Sequence, residues 1–217
     1  MTFTTLFCDL DDTLYPNENG LWEAIRSRMG MFMAEKLGMP LDQIPVIRRE
    51  YYLKYGTTLR GLQIHHQVDA DEYLGFVHDL PLEEYIEPNP ELRVLLESLP
   101  LKRYIFTNAD ADHARRVIRI LGVHDCFDGI IDVRALNFAC KPELNAYRKA
   151  LSMSGNPDPD MCVMIDDSPI NLKPALLLGF TTILVRKDRK IDPSANYVIP
   201  SLLDLRNMLP KLWESIQ

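Results

Sequence analysis

The stretch Phe7-Cys8-Asp9-Leu10-Asp11-Asp12-Thr13-Leu14-Tyr15 governs the reading of the whole chain. An apolar run from Phe3 to Cys8 leads without a break into three acids within four residues. Short apolar runs rich in β-branched or aromatic residues read as buried parallel strands. A carboxylate at the end of such a strand is unfavourable unless a cation or a proton compensates it. The same combination recurs at Met164-Ile165-Asp166-Asp167-Ser168. If the two strands are neighbours, their carboxylates meet at one end of a sheet and call for a hard cation. Carboxylate and carbonyl oxygens suit Mg²⁺.

Outward from these two stretches, Tyr104 to Phe106, Ile130 to Val133 and Thr181 to Val185 supply three more strand-like runs. Between the later ones lie helix-length segments, Ala111 to Leu121, Pro142 to Ser152 and Pro169 to Gly179, with apolar residues at helical spacing. Strand–helix alternation implies an α/β fold with a Rossmann-like parallel sheet and right-handed crossovers. The first crossover is far longer than one helix needs. Within it Leu21, Ile25, Met29, Met33 and Leu37 recur every four residues and predict a helix of about 18 residues. Leu41, Ile44, Ile47 and Tyr51 predict a second, and Tyr73, Phe76, Val77 and Leu80 another after Asp69. The predicted organisation is a core of residues 1–15 and 87–217 interrupted by an all-helical module, 16–86. The chain returns through Glu87-Pro88-Asn89-Pro90, where Asn89 can cap a helix starting at Pro90. Ligands of open α/β sheets bind at the carboxyl ends of the strands. An insert leaving the end of the first strand is therefore expected to sit over the site.

Two further strand ends complement the acids. Thr107-Asn108 follows Phe106 with a hydroxyl and an amide able to bond an oxyanion, and Lys141 offers a point charge to a phosphate. Acids, one metal, a lysine and a hydroxyl suit phosphoryl transfer, where catalysis is mostly positioning and charge stabilisation.

From about Phe3 to Val185 the pattern resembles the haloacid dehalogenase superfamily in its phosphohydrolase branch. Four motifs appear in that family's order: Asp9-x-Asp11-x-Thr13, Thr107 after an apolar strand, Lys141, and Asp166-Asp167 with Asn171 four residues on. The resemblance implies Asp9 as nucleophile forming an aspartyl-phosphate, and Asp11 as general acid and then base. It implies Mg²⁺ held by the Asp9 carboxylate, the Asp11 carbonyl and Asp167, with Asp166 acting through a water. Thr107 and Asn108 would hold phosphoryl oxygens, and Lys141 would offset charge between Asp9 and the phosphate. The helical insert stands where that family carries its cap. Asp9-Leu10-Asp11-Asp12-Thr13-Leu14-Tyr15-Pro16, Gly20-Leu21-Trp22, Tyr55-Gly56-Thr57-Thr58-Leu59-Arg60-Gly61-Leu62 and Phe76-Val77-His78-Asp79 resemble the pyrimidine 5′-nucleotidase group. That likeness implies a pyrimidine nucleoside monophosphate as substrate, with Tyr15, Tyr52 and Arg60 as candidate readers of base and ribose.

Composition narrows the alternatives. The 217 residues carry 24 Lys and Arg against 31 Asp and Glu, a net charge of −7, so a nucleic-acid polymer is not an expected partner. No run of about 20 apolar residues exists and no signal segment is legible at the start, so the expectation is a cytoplasmic protein without a membrane span. The cysteines at 8, 126, 140 and 162 lack metal-ligand spacing and read as reduced. A calcium loop starting at Asp9 fails because Leu14 occupies the place that needs glycine. His65 and His66 would diverge on a helix, and Met29, Met31 and Met33 read as helix core. The expected partner is a small phosphorylated metabolite, and the chain would be a monomer or a homodimer. Competing readings on the same core are a sugar-phosphate phosphatase or phosphomutase, and a regulatory phosphate-binding protein. Dehalogenation of a small acid is disfavoured, since that branch lacks the second acid of the first motif and needs no metal.

Overall fold

A computed structural model describes residues 2–16, 18 and 20–214. Six strands form one parallel sheet: β1 (Thr5–Cys8), β2 (Lys102–Phe106), β3 (Gly129–Ile131), β4 (Cys162–Asp166), β5 (Thr181–Val185) and β6 (Tyr197–Ile199). Their order is β3-β2-β1-β4-β5-β6, which puts β1 between β2 and β4. The chain order reverses at β1 and β4, and open α/β sheets form a ligand crevice beyond the strand ends at such a switch. Cys8 lies level with both Ile105 and Ile165, so the residues following β1, β2 and β4 emerge side by side.

The central strands are apolar on both faces because both faces are covered. Leu6, Phe7, Cys8, Val163, Met164 and Ile165 are all buried. Phe7 stacks on Tyr104 and Phe180 and meets Phe106 edge to face. Burying a side chain of this size is worth about 1.5–3 kcal/mol. Helix α5 (Pro90–Ser98) begins as the sequence predicts, with the Asn89 carboxamide oxygen accepting from the Leu92 N–H at 3.0 Å. Helix α6 (Ala111–Ile120) follows β2, α7 (Leu144–Met153) follows β3, and α8 (Pro169–Leu178) follows β4. Ala146, Tyr147 and Ala150 of α7 and Leu172 and Ala175 of α8 close the core over Phe7, Phe106 and Met164. A short α9 (Leu205–Met208) lies beyond β6. Neither β6 nor α9 was expected, because three or four residues are too few to establish a period.

The chain separates into two compact units, Met1–Pro16 with Ile86–Gln217, and Asn17–Tyr85. Among its described residues the second holds helices and no strand: α1 (Leu21–Leu37), α2 (Ile44–Tyr55), α3 (Thr58–His66) and α4 (Ala70–Val77), followed by a short 3₁₀ turn at Leu82–Glu84. In α1 the buried face is Leu21, Ile25, Phe32 and Met33. Phe32, rather than Met31, fills it and meets the rings of Tyr73 and Phe76 edge to face. Met31 is exposed. Helix α2 starts at Ile44, with Pro45 in its first turn, and Leu41 is left exposed before it. Helix α3 was not among the predicted helices, since Gly56 and Gly61 interrupt its apolar pattern. Gly61 has a packing reason: a Cβ there would lie 2.2 Å from Cγ of Tyr51, so only glycine lets α2 and α3 approach this closely. His66 bonds the Tyr51 hydroxyl and His65 the Tyr55 hydroxyl, while the His65 ring also stacks on Tyr51. Among the described residues no helix is long and apolar enough to cross a membrane.

Candidate active site

At the carboxyl end of β1 the Asp9 N–H still donates to the Ile165 carbonyl at 2.9 Å, one step beyond the assigned strand. The chain then turns. The Leu10 carbonyl accepts from the N–H groups of Thr13 and Leu14, and Asp12 sits at φ 60°. Aspartate tolerates this left-handed conformation far better than a β-branched residue would. The turn sends Asp9 and Asp11 to different surroundings, although only one residue separates them.

Asp9 enters a buried ionic cluster. Lys141 Nζ donates to Asp9 Oδ1 and to Asp166 Oδ2, each at 2.7 Å, and the lysine is only 1% exposed. Asp166 Oδ1 accepts from the Ser168 N–H at 2.9 Å and the Asn171 amide at 3.1 Å. Thr13 Oγ1 donates to Asp9 Oδ2 at 3.3 Å. Asp167 completes the group: one carboxylate oxygen each from Asp9, Asp166 and Asp167 lie within 4.8 Å of one another. Three acids are grouped with one ammonium, and burial in this crowded setting raises the carboxyls of Asp9 and Asp167. Burial pushes the Asp9 carboxyl well above the usual range; Lys141 opposes that shift and Asp166 adds to it. Burial raises Asp167 too, reinforced by Asp166, Asp9 and Asp12. Burial would lower Lys141, yet the charges of Asp166 and Asp9 and its bonds to them leave it raised. An all-oxygen set of crowded acids has the donor chemistry that fits a hard divalent cation.

Thr107 follows β2 and continues the ladder, its N–H donating to the Ile131 carbonyl at 3.0 Å. Its buried hydroxyl accepts from the Ala109 N–H at 3.0 Å and keeps a proton to donate. Asn108 has a contact that its sequence position did not announce. Its amide clasps the main chain of Lys141, donating to the carbonyl at 2.9 Å and accepting from the N–H at 2.8 Å. The side chain expected to hold a phosphoryl oxygen also fixes the lysine that reaches Asp9, in a loop where the Lys141–Pro142 bond is cis, and its amide keeps a second N–H to donate.

Asp11 lies apart from the cluster of three. Its Oδ1 accepts from the Tyr15 hydroxyl at 2.5 Å and bonds His113 Nε2 at 3.0 Å. Tyr15 is therefore buried beside the acid, with no exposed ring face to offer a nucleotide base. Burial and the Asp11 charge hold its phenol well above its ordinary pKa. Sequence reasoning missed His113. The signal was faint but present: a histidine in the first turn of the helix that follows Thr107. Asp132 was missed as well. Its two oxygens accept from the N–H groups of Ala111 and Ala135 and tie the start of α6 to the segment after β3. The remaining candidates belong to the helical unit, where Tyr52 is exposed on α2 and Arg60 is half-buried in the first turn of α3.

With this geometry in place, comparison with known proteins is decisive for the family. The family model described as haloacid dehalogenase-like hydrolase matches residues 3–179, most of the chain. This chain belongs to the haloacid dehalogenase-like hydrolases. Among curated relatives of this family, Phosphate metabolism protein 8 of Saccharomyces cerevisiae is 32% identical over 187 residues, 80% of this chain. The chain spans 58% of the length of that yeast protein. Solved structures share the fold at lower identity. The HAD phosphatase of Thermococcus onnurineus is 22% identical with a TM-score of 0.64, covering 94% of this chain and 97% of that one. The HAD-hydrolase YfnB of Bacillus subtilis, bound to magnesium, is 19% identical with a TM-score of 0.63, covering 95% and 98%. The L-2-haloacid dehalogenase of Xanthobacter autotrophicus is 18% identical with a TM-score of 0.62, covering 97% and 99%. A phosphatase and a dehalogenase thus fit this hydrolase fold about equally well. What sets this chain's site apart is its side chains: Asp9, Asp166 and Asp167 clustered with Lys141, and Asp11 held by Tyr15 and His113.

Proposed function

We propose that this hydrolase is a Mg²⁺-dependent phosphomonoesterase acting through an aspartyl-phosphate on Asp9. The observation that carries the reading is the convergence of Asp9, Asp166 and Asp167 around one buried lysine, with a separately held acid, Asp11, two residues beyond Asp9. The name of the yeast relative, which refers to phosphate metabolism, agrees with it.

In the first displacement an Asp9 carboxylate oxygen attacks phosphorus. The ester P–O bond breaks, its electron pair stays on the leaving oxygen, and Asp11 gives that oxygen a proton. In the second, a water oxygen attacks the same phosphorus while Asp11 takes the water's proton, and the Asp9–phosphorus bond breaks to release phosphate. Lys141 offsets the negative charge that Asp9 and the phosphoryl group bring together, and Asn108 fixes its backbone. The Thr107 hydroxyl donates to a phosphoryl oxygen. The carboxylates of Asp9 and Asp167 and the Asp11 carbonyl would hold Mg²⁺, with Asp166 supporting through a water; the ion supplies positive charge to the acids and to the phosphoryl oxygens.

For substrate we propose a small phosphorylated metabolite, a pyrimidine nucleoside 5′-monophosphate by sequence likeness, with residues 16–86 acting as a cap. Tyr52 and Arg60 would read base and ribose. A cytoplasmic setting fits such a substrate. The test is release of p-nitrophenol and phosphate from p-nitrophenyl phosphate with Mg²⁺ and with EDTA, beside Asp9→Asn. Metal-dependent turnover that falls by at least about 10⁴-fold in a folded Asp9→Asn protein is the expected result. Activity retained in that variant would remove Asp9 as nucleophile. A phosphate-release panel decides the substrate class: sugar phosphates outpacing UMP and CMP tenfold would overturn the nucleotide assignment alone.

A further inference from the structure

Asp11 would have two opposite tasks in the reaction proposed above, to give a proton and then take one. A carboxyl group performs such tasks well only if the oxygen that carries the proton is fixed. Oδ1 of Asp11 faces two polar hydrogen-bonding groups from different parts of the chain: the Tyr15 hydroxyl, four residues on in the same turn, and His113 Nε2, 102 residues away on α6. The His113 side chain has no solvent exposure. Its backbone is held too. The His113 N–H donates to Asp110 Oδ1 at 2.8 Å, and Asp132 Oδ2 accepts from the Ala111 N–H at 2.8 Å at the start of the same helix. The imidazole is thus delivered by an anchored helix end. Because Tyr15 donates to the carboxylate, the matching role for Nε2 is also that of donor.

We infer that His113 and Tyr15 are positioning residues for Asp11, which occupy both lone pairs of Oδ1 and so direct the transferable proton to Oδ2. An sp² oxygen that accepts two hydrogen bonds has no lone pair left for a proton, unless it expels one donor. The pair therefore selects one protonated form of the acid out of two and holds its rotamer. Such preorganisation acts on proton transfer and leaves phosphate binding alone. Helix α6 begins a few residues after Thr107 and Asn108, so one segment carries both a phosphate donor and the orienter of the acid. This inference rests on the phosphatase reading and goes beyond it by separating two inputs to the first displacement.

The test uses leaving-group dependence. The ratio kcat/KM reports the first displacement alone, and p-nitrophenolate departs without needing a proton, whereas an alkoxide from an alkyl or nucleoside phosphate needs one. The variants are His113→Leu, which removes the donor, His113→Gln, which keeps one, and Tyr15→Phe, each checked by thermal melting. General acid catalysis contributes about 10²–10⁴-fold, so His113→Leu is expected to lower kcat/KM on an alkyl phosphate by about 10–100-fold and on p-nitrophenyl phosphate by less than about threefold. His113→Gln should recover most of the loss, and Tyr15→Phe should show the same selectivity for the poor leaving group. Equal losses on both esters, or no loss on the alkyl ester in a folded variant, would overturn the inference. Should His113→Leu fail to fold, Tyr15→Phe carries the same two outcomes. Failure of the parent reading looks different: wild-type protein without metal-dependent turnover of either ester.

Discussion

The two units of the molecule handle polarity in opposite ways. In the α/β unit, Asp9, Thr107, Asp110, His113, Asp132, Lys141 and Asp166 are all buried, each engaged in the hydrogen bonds described above. In the helical unit, Thr58 alone among the described residues is polar and buried, whereas exposed apolar side chains occur in both units, Leu53 in the one and Leu177 in the other. Burying charge is costly and is tolerated where it is matched and used. The α/β unit thus holds the residues to which the proposed reaction is assigned, and Lys141 ties Asp9 to Asp166 within it. The helical unit, described by itself, is packed through apolar and aromatic contacts such as those of Phe32 with Tyr73 and Phe76.

This contrast can be broken by substitution. The largest effect is expected at Lys141→Met, which leaves Asp9 and Asp166 buried without their shared cation. Removing one partner of a buried ion pair costs about 3–5 kcal/mol, so a large fall in melting temperature should accompany loss of turnover. A Lys141→Met protein that melts like the wild type would show that the network is not interdependent. An intermediate effect is expected at Tyr52→Ala. Stacking on a base is worth about 1–3 kcal/mol, so KM for a nucleotide should rise roughly 5–100-fold while p-nitrophenyl phosphate kinetics and the melting curve stay unchanged. Loss on both substrates would assign α2 more than a specificity role. The smallest effect belongs to an exposed pair of the α/β unit. Arg93 bonds Asp125 through two contacts and holds its carboxyl down to about 2. A depressed carboxyl pKa stabilises the fold above the unfolded-state value of about 3.9, and that stability is lost as pH falls towards about 2. Asp125→Asn should therefore lower the melting temperature by at most about 2 °C at pH 7, with the difference shrinking below about pH 4 and vanishing only below about pH 2. A larger shift would mean that surface pairs matter here as much as buried ones.

What the sequence disclosed, and what it hid, follows the same division. Acids at the ends of two apolar strands were legible because that pattern is costly without a cation. β1, β2, β4 and β5 were legible from their composition, and α1 from its four-residue spacing. The pairing of β1 with both β2 and β4 turned those separate strand ends into one cluster. Two functional contacts were hidden, and both depend on tertiary adjacency. Asn108 was read as a ligand for phosphate because an amide at a strand end can bind an oxyanion. Only the fold reveals that the loop carrying Lys141 passes close enough to take both of its hydrogen bonds. Nothing in the pattern of α6 sets His113 apart, and its partner Asp11 is 102 residues away in sequence. In the helical unit α3 was hidden by Gly61, a helix breaker retained because Tyr51 packs against it.

At the centre stands the claim that Asp9, Asp166 and Asp167 are stable together because a divalent cation joins Lys141 in neutralising them. Thermal melting of the EDTA-treated protein, titrated with Mg²⁺ and compared with Asp167→Asn, tests this most directly. Binding to the folded state alone stabilises by about 2.7 kcal/mol at a hundredfold excess over Kd. The wild type should therefore gain several degrees as Mg²⁺ is added, and Asp167→Asn should gain little while melting higher than the wild type without metal. Mg²⁺ shifting both proteins equally, or neither, would contradict it.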